Sequence, residues 1–236
     1  MRVPTIVSTL QRLRKSFVAS AGTIVFGMED GTVSIFGLVF GVAATTTSNV
    51  AVLVAGASGA AAAAVSMMAG AYLDAETSRD ERRARRAQLD KELTSSRGAV
   101  AAVLPERLSA AGLEPPLSAA LADAVQHDPD ALKGLLLALH GAAPAETGPG
   151  VQALWMLAAD FLSAAVPIVP FMFLPMNRAR IVSAAITTAL LVALGVGRAR
   201  IGKRPLLRTV AETVSMGIAA AVAGVAIGIL FNEAFG

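Results

Sequence analysis

Two acids, Glu29 and Asp30, stand side by side in a stretch that otherwise suits lipid, AGTIVFGMEDGTVSIFGLVFGVAAT. The uninterrupted apolar run over residues 31–45 is too short to cross a bilayer, because a spanning helix needs about 20 residues. The span must therefore reach back through Met28 toward Thr23 and carry both carboxylates with it. A carboxylate at membrane depth costs at least about 2.5–3.5 kcal/mol, so such groups face a polar path or a partner. The chemistry this implies is the capture of a cation or a proton. A structural role for Asp30 also fits: capping a helix broken at Gly31, or pairing with a basic residue. On a helix Glu29 points about 100° away from Asp30. Both face one narrow path only if the helix unwinds there, which Gly27 and Gly31 permit.

A second group lies at a matching depth. Asp30 is 16 residues inward from Thr46, roughly 24 Å at helical rise. Met67 is 18 residues inward from Asn49, roughly 27 Å. If residues 46–49 close a helical hairpin, the acid and the thioether sit at similar depth. Oxygen beside sulfur suits a borderline transition metal better than Mg²⁺ or Ca²⁺, which prefer oxygen shells. Met67 and Met68 also read as packing filler on an alanine-rich helix. Asp160 and Glu212 are further acids near membrane depth, with proton or structural roles open to them and no partner visible in the sequence.

The elements that must position these residues are helices. Hydrophobic residues form 55% of the chain, charged residues 16%, and the mean hydropathy is +0.63. A soluble domain carries about 25% charged residues. Five apolar runs read as transmembrane helices: 21–45, 50–73, 151–174, 181–196 and 210–231. The fourth is short, with Arg180 and Arg198 placed to snorkel from its ends. The expected fold is an all-α integral membrane protein. It comprises a cytosolic N-terminal segment (1–20), the first two spans (21–73), a helical cytosolic insertion (74–150) and three further spans (151–236). In the insertion, oppositely charged neighbours over 74–93 suit a helix that prolongs the second span. Pro115 and Pro116 open a helix over 117–126, and Asp128 before Pro129 caps one over 130–140.

Basic residues fix the direction of the spans. Arg12, Arg14 and Lys15, then Arg79 to Arg86, then Arg198 to Arg208 share one side if there are five spans. The N-terminus is then cytosolic and the C-terminus lies opposite. Arg178 and Arg180 are the exception, in a loop on the far side. The +3 charge and pI near 9.8 reflect this topology and contact with the lipid bilayer, not nucleic acid. No cleavage signal follows the first basic cluster, so residues 1–20 do not read as a signal peptide. Cysteine is absent, which removes thiolate metal sites and disulfides. No nucleophile–base pair, phosphate loop or resident cofactor motif is present, so the chain does not read as an enzyme. Gly56, Ala60 and Ala64 make a small-residue face that serves packing within one subunit or, by slight preference, a dimer. Pro167, Pro170 and Pro175 interrupt the third span and free carbonyls that could line a cavity.

These segments resemble the vacuolar iron transporter family. MEDGTVSIFGLVFGVA is similar to its first-helix signature, and GASGAAAAAVSMMAGAYLDAETS to its second helix. AALADAVQHDPDAL resembles its cytosolic Asp-Pro turn, and FLSAAVPIVPFMFLP its proline-rich third helix. The resemblance implies a homodimer that moves Fe²⁺, and in some members Mn²⁺, out of the cytosol in exchange for protons. It implies Asp30 and Met67 as metal-path residues, with Glu29 assisting and Met68 adjacent. The family's second-helix glutamate falls here on Gly59. Its cytosolic carboxylate helix matches the basic RRARRAQLDKEL, where Glu92 is the acid in register. Its methionine pair and following glutamate fall near Leu136, Leu137 and His140. Asp74 and Glu76, with Glu29, are the acids available to compensate. The expected function is metal export by proton antiport. The same fold carrying another cation or small solute, or serving as a membrane scaffold, is the alternative. An Ala- and Arg-rich chain without a targeting peptide suggests a bacterial cytoplasmic membrane.

Overall fold

The computed structural model describes residues 6–139 and 147–235, with no strand among them. His140, at the position of the family's expected glutamate, lies outside the described residues. Five helices are long and apolar enough to cross a membrane: α2 (Ala21–Thr45), α3 (Asn49–Ala102), α7 (Pro149–Ile168), α9 (Met176–Ile201) and α10 (Leu206–Phe235). A short amphipathic helix α1 (Ile6–Ala19) precedes them, where the sequence reading saw only a segment. Its Phe17 ring meets Trp155 edge-on at 5.3 Å, and the Trp155 indole N–H donates to Ser16 at 3.3 Å. Contacts divide the chain into two units, Met1–Leu73 with Thr147–Gly236, and Asp74–Glu146.

In the first unit α2 is the central helix, packed by α7, α9 and α10. Glycine lets it be central. Gly27 and Gly31 turn toward α7, where a β-carbon on Gly27 would come within 2.6 Å of the Met156 sulfur. Gly37 and Gly41 meet Gly224 and Gly228 of α10 backbone to backbone. Without side chains between them, van der Waals contact replaces the hydrophobic drive that lipid does not supply. Beyond the seam, Ile35, Val39 and Ala43 join Val52 and Ala60 of α3, and Ala164 and Ile168 of α7. A β-carbon on Gly56 would touch Val39 and Ile168, and Ala60 and Ala64 are buried. The Gly56–Ala60–Ala64 face therefore packs within the subunit rather than presenting a dimer surface. Large apolar residues on the outer sides of α3, α7, α9 and α10 are exposed, Leu207 at 85% and Leu162 at 68% among them. Lipid is the solvent that suits such a surface.

Polar groups tie the far ends of the helices. The Asn49 side-chain amide donates to the Phe171 and Leu174 carbonyls at 2.9 and 2.8 Å. The third span continues from α7 into the short helix α8 (Pro170–Phe173): Val169 between them keeps helical angles and its N–H bonds the Ala165 carbonyl at 2.9 Å, while Pro167 and Pro170 supply no amide donor. The Pro167 carbonyl accepts from the Ser183 hydroxyl at 2.7 Å, which ties α7 to α9. Arg180 does not snorkel. Its guanidinium donates to the Ala43 and Thr46 carbonyls and caps the C-terminal end of α2. That contact holds the first turns of α9 to the end of α2.

The second unit has its own leucine core: Leu89 of α3, Leu104 and Leu108 of α4 (Leu104–Ala110), Ala122 of α5 (Pro115–Val125), and Leu132 and Leu136 of α6 (Pro129–Leu139). Asp128 caps α6, its Oδ1 accepting from the Asp130 and Ala131 amides at 2.9 and 3.1 Å. Gly112, at φ +98°, ends α4 in the left-handed turn that glycine tolerates best. Leu136 is wholly buried and Leu137 packs against it, so core packing claims the positions where the family resemblance places thioethers.

The glycine seam is testable. Gly224→Ala places a methyl against the Gly37 carbonyl, and the helices must part. A loss of about 1–3 kcal/mol is expected in detergent unfolding. Gly70→Ala, whose new methyl meets nothing within 4 Å, should be neutral or stabilising by up to about 1 kcal/mol.

Candidate functional site

Residues of α2, α9 and α10 enclose a cavity of about 480 Å³. Its polar wall is Glu29, Asp30, Arg198 and Arg204, and its apolar wall includes Phe26 and Met216. The two acids share this space although α2 is helical throughout Ala21–Thr45. No unwinding at Gly27 or Gly31 is needed, because the cavity is wide enough to meet two residues 100° apart on one helix.

The acids have different environments. Glu29 is 8% exposed. Its Oε1 accepts from the Arg198 guanidinium at 2.9 Å and from the Thr213 hydroxyl at 3.0 Å. The sequence reading placed Arg198 at the end of a short fourth span, snorkelling; α9 instead runs to Ile201 and turns Arg198 inward to the pair. A buried carboxylate needs such a partner, since its desolvation is otherwise uncompensated. The Asp30 carboxylate has no hydrogen bond or ion pair among the described residues, and its backbone carbonyl accepts from Ser34 at 2.8 Å. The basic partner thus belongs to Glu29, and Asp30 is the acid left open to the cavity. Helix α2 does not break at Gly31, so Asp30 caps no helix end there.

The other expected residues are distributed as follows. Met67 and Met68 are half-buried on α3 and do not line the cavity. The thioether that does is Met216, which sequence reasoning passed over because nothing in α10 marks it by spacing. Glu212 forms an exposed pair with Arg208 at 3.0 Å. Asp160 is fully buried on α7, and neither carboxylate oxygen has a hydrogen-bond partner. In the second unit Asp74 is exposed, Glu76 pairs with Arg79 at 3.8 Å, and Glu92 accepts from Gln88 at 2.9 Å. Among the described residues no group of three or more His, Cys, Asp or Glu gathers to hold a metal ion.

The Glu29–Arg198 pair should behave as a unit. Arg198→Gln leaves Glu29 buried without a cation and should lower stability by about 3 kcal/mol, the low end for a broken buried pair because Arg198 is partly exposed. Glu29→Gln with Arg198→Gln should recover most of that loss. Unfolding of the two single variants and the double variant measures the coupling.

The chain is similar to known proteins over nearly all of this bundle. The model of the VIT family matches residues 21–229. Vacuolar iron transporter 1 of Oryza sativa subsp. japonica is 26% identical over 204 residues, covering 85% of this chain and 81% of that protein. Vacuolar iron transporter 1 of Eucalyptus grandis is 27% identical over 167 residues, covering 70% and 67%. That of Arabidopsis thaliana is 27% identical over 204 residues, covering 85% and 81%. These are the names of transporters and not of enzymes, in keeping with a sequence that carries no catalytic motif. The match runs from the first residue of α2 almost to the end of α10, and the chain belongs to the VIT family.

Proposed function

We propose that this chain exports a divalent transition metal, Fe²⁺ or Mn²⁺, from the cytosol in exchange for protons. The observation that carries the reading is Asp30, a carboxylate without a hydrogen-bond or ion-pair partner in an open cavity, beside a Glu29 that is already neutralised. Asp30 has no ion-pair partner although Arg204 lines the same cavity, and a carboxylate in a low-dielectric wall attracts a cation. A carboxylate exchanges metal for proton readily, because each occupant neutralises the same charge. The names of the relatives support iron as cargo.

The metal enters the cavity from the cytosolic side and exchanges water for Asp30. Met67, a thioether on α3, is the softer ligand that takes over along the path. Glu29 holds α2 to α9 and α10 through Arg198 and Thr213, and assists by fixing the backbone that carries Asp30. Movement between inward- and outward-open forms uses the third span, whose hydrogen-bond ladder Pro167 and Pro170 interrupt; α2 moves as an unbroken rod. The N-terminus is cytosolic, the C-terminus lies opposite, and the exposed apolar side of α10 is available to the partner of a homodimer. The membrane is the bacterial cytoplasmic membrane.

The test is flux of Fe²⁺ and Mn²⁺ into proteoliposomes under an imposed pH gradient. Wild-type flux should require the gradient, and Asp30→Asn should reduce it at least about tenfold, the effect of losing a charged ligand. Equal flux in Asp30→Asn and wild type would refute the role of Asp30. No flux of either metal from correctly folded wild type would refute metal export.

A further inference from the structure

One acid of the bundle is unused by this reading. Asp160 sits on α7 at 0% exposure, and both of its carboxylate oxygens lack a hydrogen-bond partner. Burying a carboxyl group with nothing to satisfy it is costly, and native structures seldom do so without a reason. The local groups offer no satisfaction. The Ser163 hydroxyl donates to the backbone carbonyl of Asp160 itself at 3.0 Å, so its hydrogen is taken. Arg198 is committed to Glu29.

The carboxyl group is aimed at α2. A β-carbon on Gly31 would lie 2.9 Å from Asp160 Oδ1 and 2.8 Å from Ser163 Oγ. Only a residue without a side chain lets the Asp160 carboxyl group reach the α2 backbone there. The residue before that gap is Asp30, one position along α2 from the Asp160 contact. Two acids on two helices thus stand at one contact, separated by one residue of α2, and neither carboxyl group has a hydrogen-bond or ion-pair partner among the described residues.

We infer that Asp160 is the second carboxylate of the metal site and shares the divalent ion with Asp30 across the α2–α7 contact. This rests on the export reading above and names a ligand on the third span. Two unpaired carboxylates balance the charge of one divalent ion. Their oxygens suit Mn²⁺ and Fe²⁺, which accept carboxylate, carbonyl and water together. Two protein carboxylates leave the remaining positions to water and backbone, which suits an ion that must leave again. The ion draws the Asp160 carboxyl group past Gly31 toward the cavity, so binding and the α2–α7 contact are coupled.

The experiment uses the full chain. Mn²⁺ binding to purified protein is measured by calorimetry and by the loss of the free Mn²⁺ resonance signal, and Mn²⁺ flux is measured in proteoliposomes. The variants are Asp160→Asn, which keeps the shape, and Asp160→Glu, which keeps the charge. Asp160→Asn should weaken Mn²⁺ binding at least about tenfold, with Asp160→Glu recovering part of it. Its melting temperature should equal or exceed that of wild type, because an unsatisfied charge-bearing group has gone. Asp160→Asn that binds Mn²⁺ as wild type does, whether or not flux changes, overturns the assignment and leaves the export reading standing. Wild type that binds Mn²⁺ through Asp160 but moves none keeps the site and overturns export. Wild type that neither binds nor moves Mn²⁺ overturns both.

Discussion

A carboxylate buried among helices in lipid is costly until a cation or a proton answers it, and the rest of the site follows from how Glu29 is answered. Its Oε1 takes the Arg198 guanidinium and the Thr213 hydroxyl, which joins α2 to α9 and α10 at one point. In low dielectric such a pair gains much from geometry and loses much if one partner is removed. It therefore fixes the rotation of α2 about its own axis. Once Glu29 faces Arg198, the 100° turn to the next residue sets Asp30 against the open part of the cavity. Pairing of the first acid is what leaves the second available.

The same rotation sets the glycine faces. Gly37 and Gly41 meet Gly224 and Gly228, and Gly27 and Gly31 meet Met156 and Asp160. A rod with glycine on two sides can be gripped closely by two neighbours and remain straight. Arg180 holds its far end by the carbonyls of Ala43 and Thr46. The helix that carries the acids is thus helical throughout, whereas Pro167 and Pro170 remove two amide donors from the third span.

How much of this was legible in the sequence differs by kind of signal. Length and hydropathy marked the long helices, because lipid imposes a minimum apolar run on any spanning segment. The Asp128 cap before Pro129 was legible for the same local reason, being chemistry between near neighbours. The acid pair was visible as an anomaly, but its division of labour was not. Glu29 and Arg198 are 169 residues apart, and Arg198 read equally well as a flanking charge at a helix end. Arg180 misled the charge count because a cap and a topology signal use the same residue. The small-residue face of α3 suggested a dimer, since spacing alone cannot say which helix fills a groove; Val39 and Ile168 fill it. Met216 carries no sequence signal at all. The isolation of Asp160 shows only when every neighbour is known.

The central claim is that Glu29 is a strut and Asp30 the acid that meets the ion. Equilibrium binding of Mn²⁺ to the Glu29→Gln, Arg198→Gln double variant tests it most directly, with Asp30→Asn as the reference for loss. The account predicts that the double variant, which removes the strut but leaves Asp30, binds Mn²⁺ more weakly than wild type yet far more tightly than Asp30→Asn. Loss of binding in the double variant to the level of Asp30→Asn would make Glu29 a ligand in its own right and contradict the account.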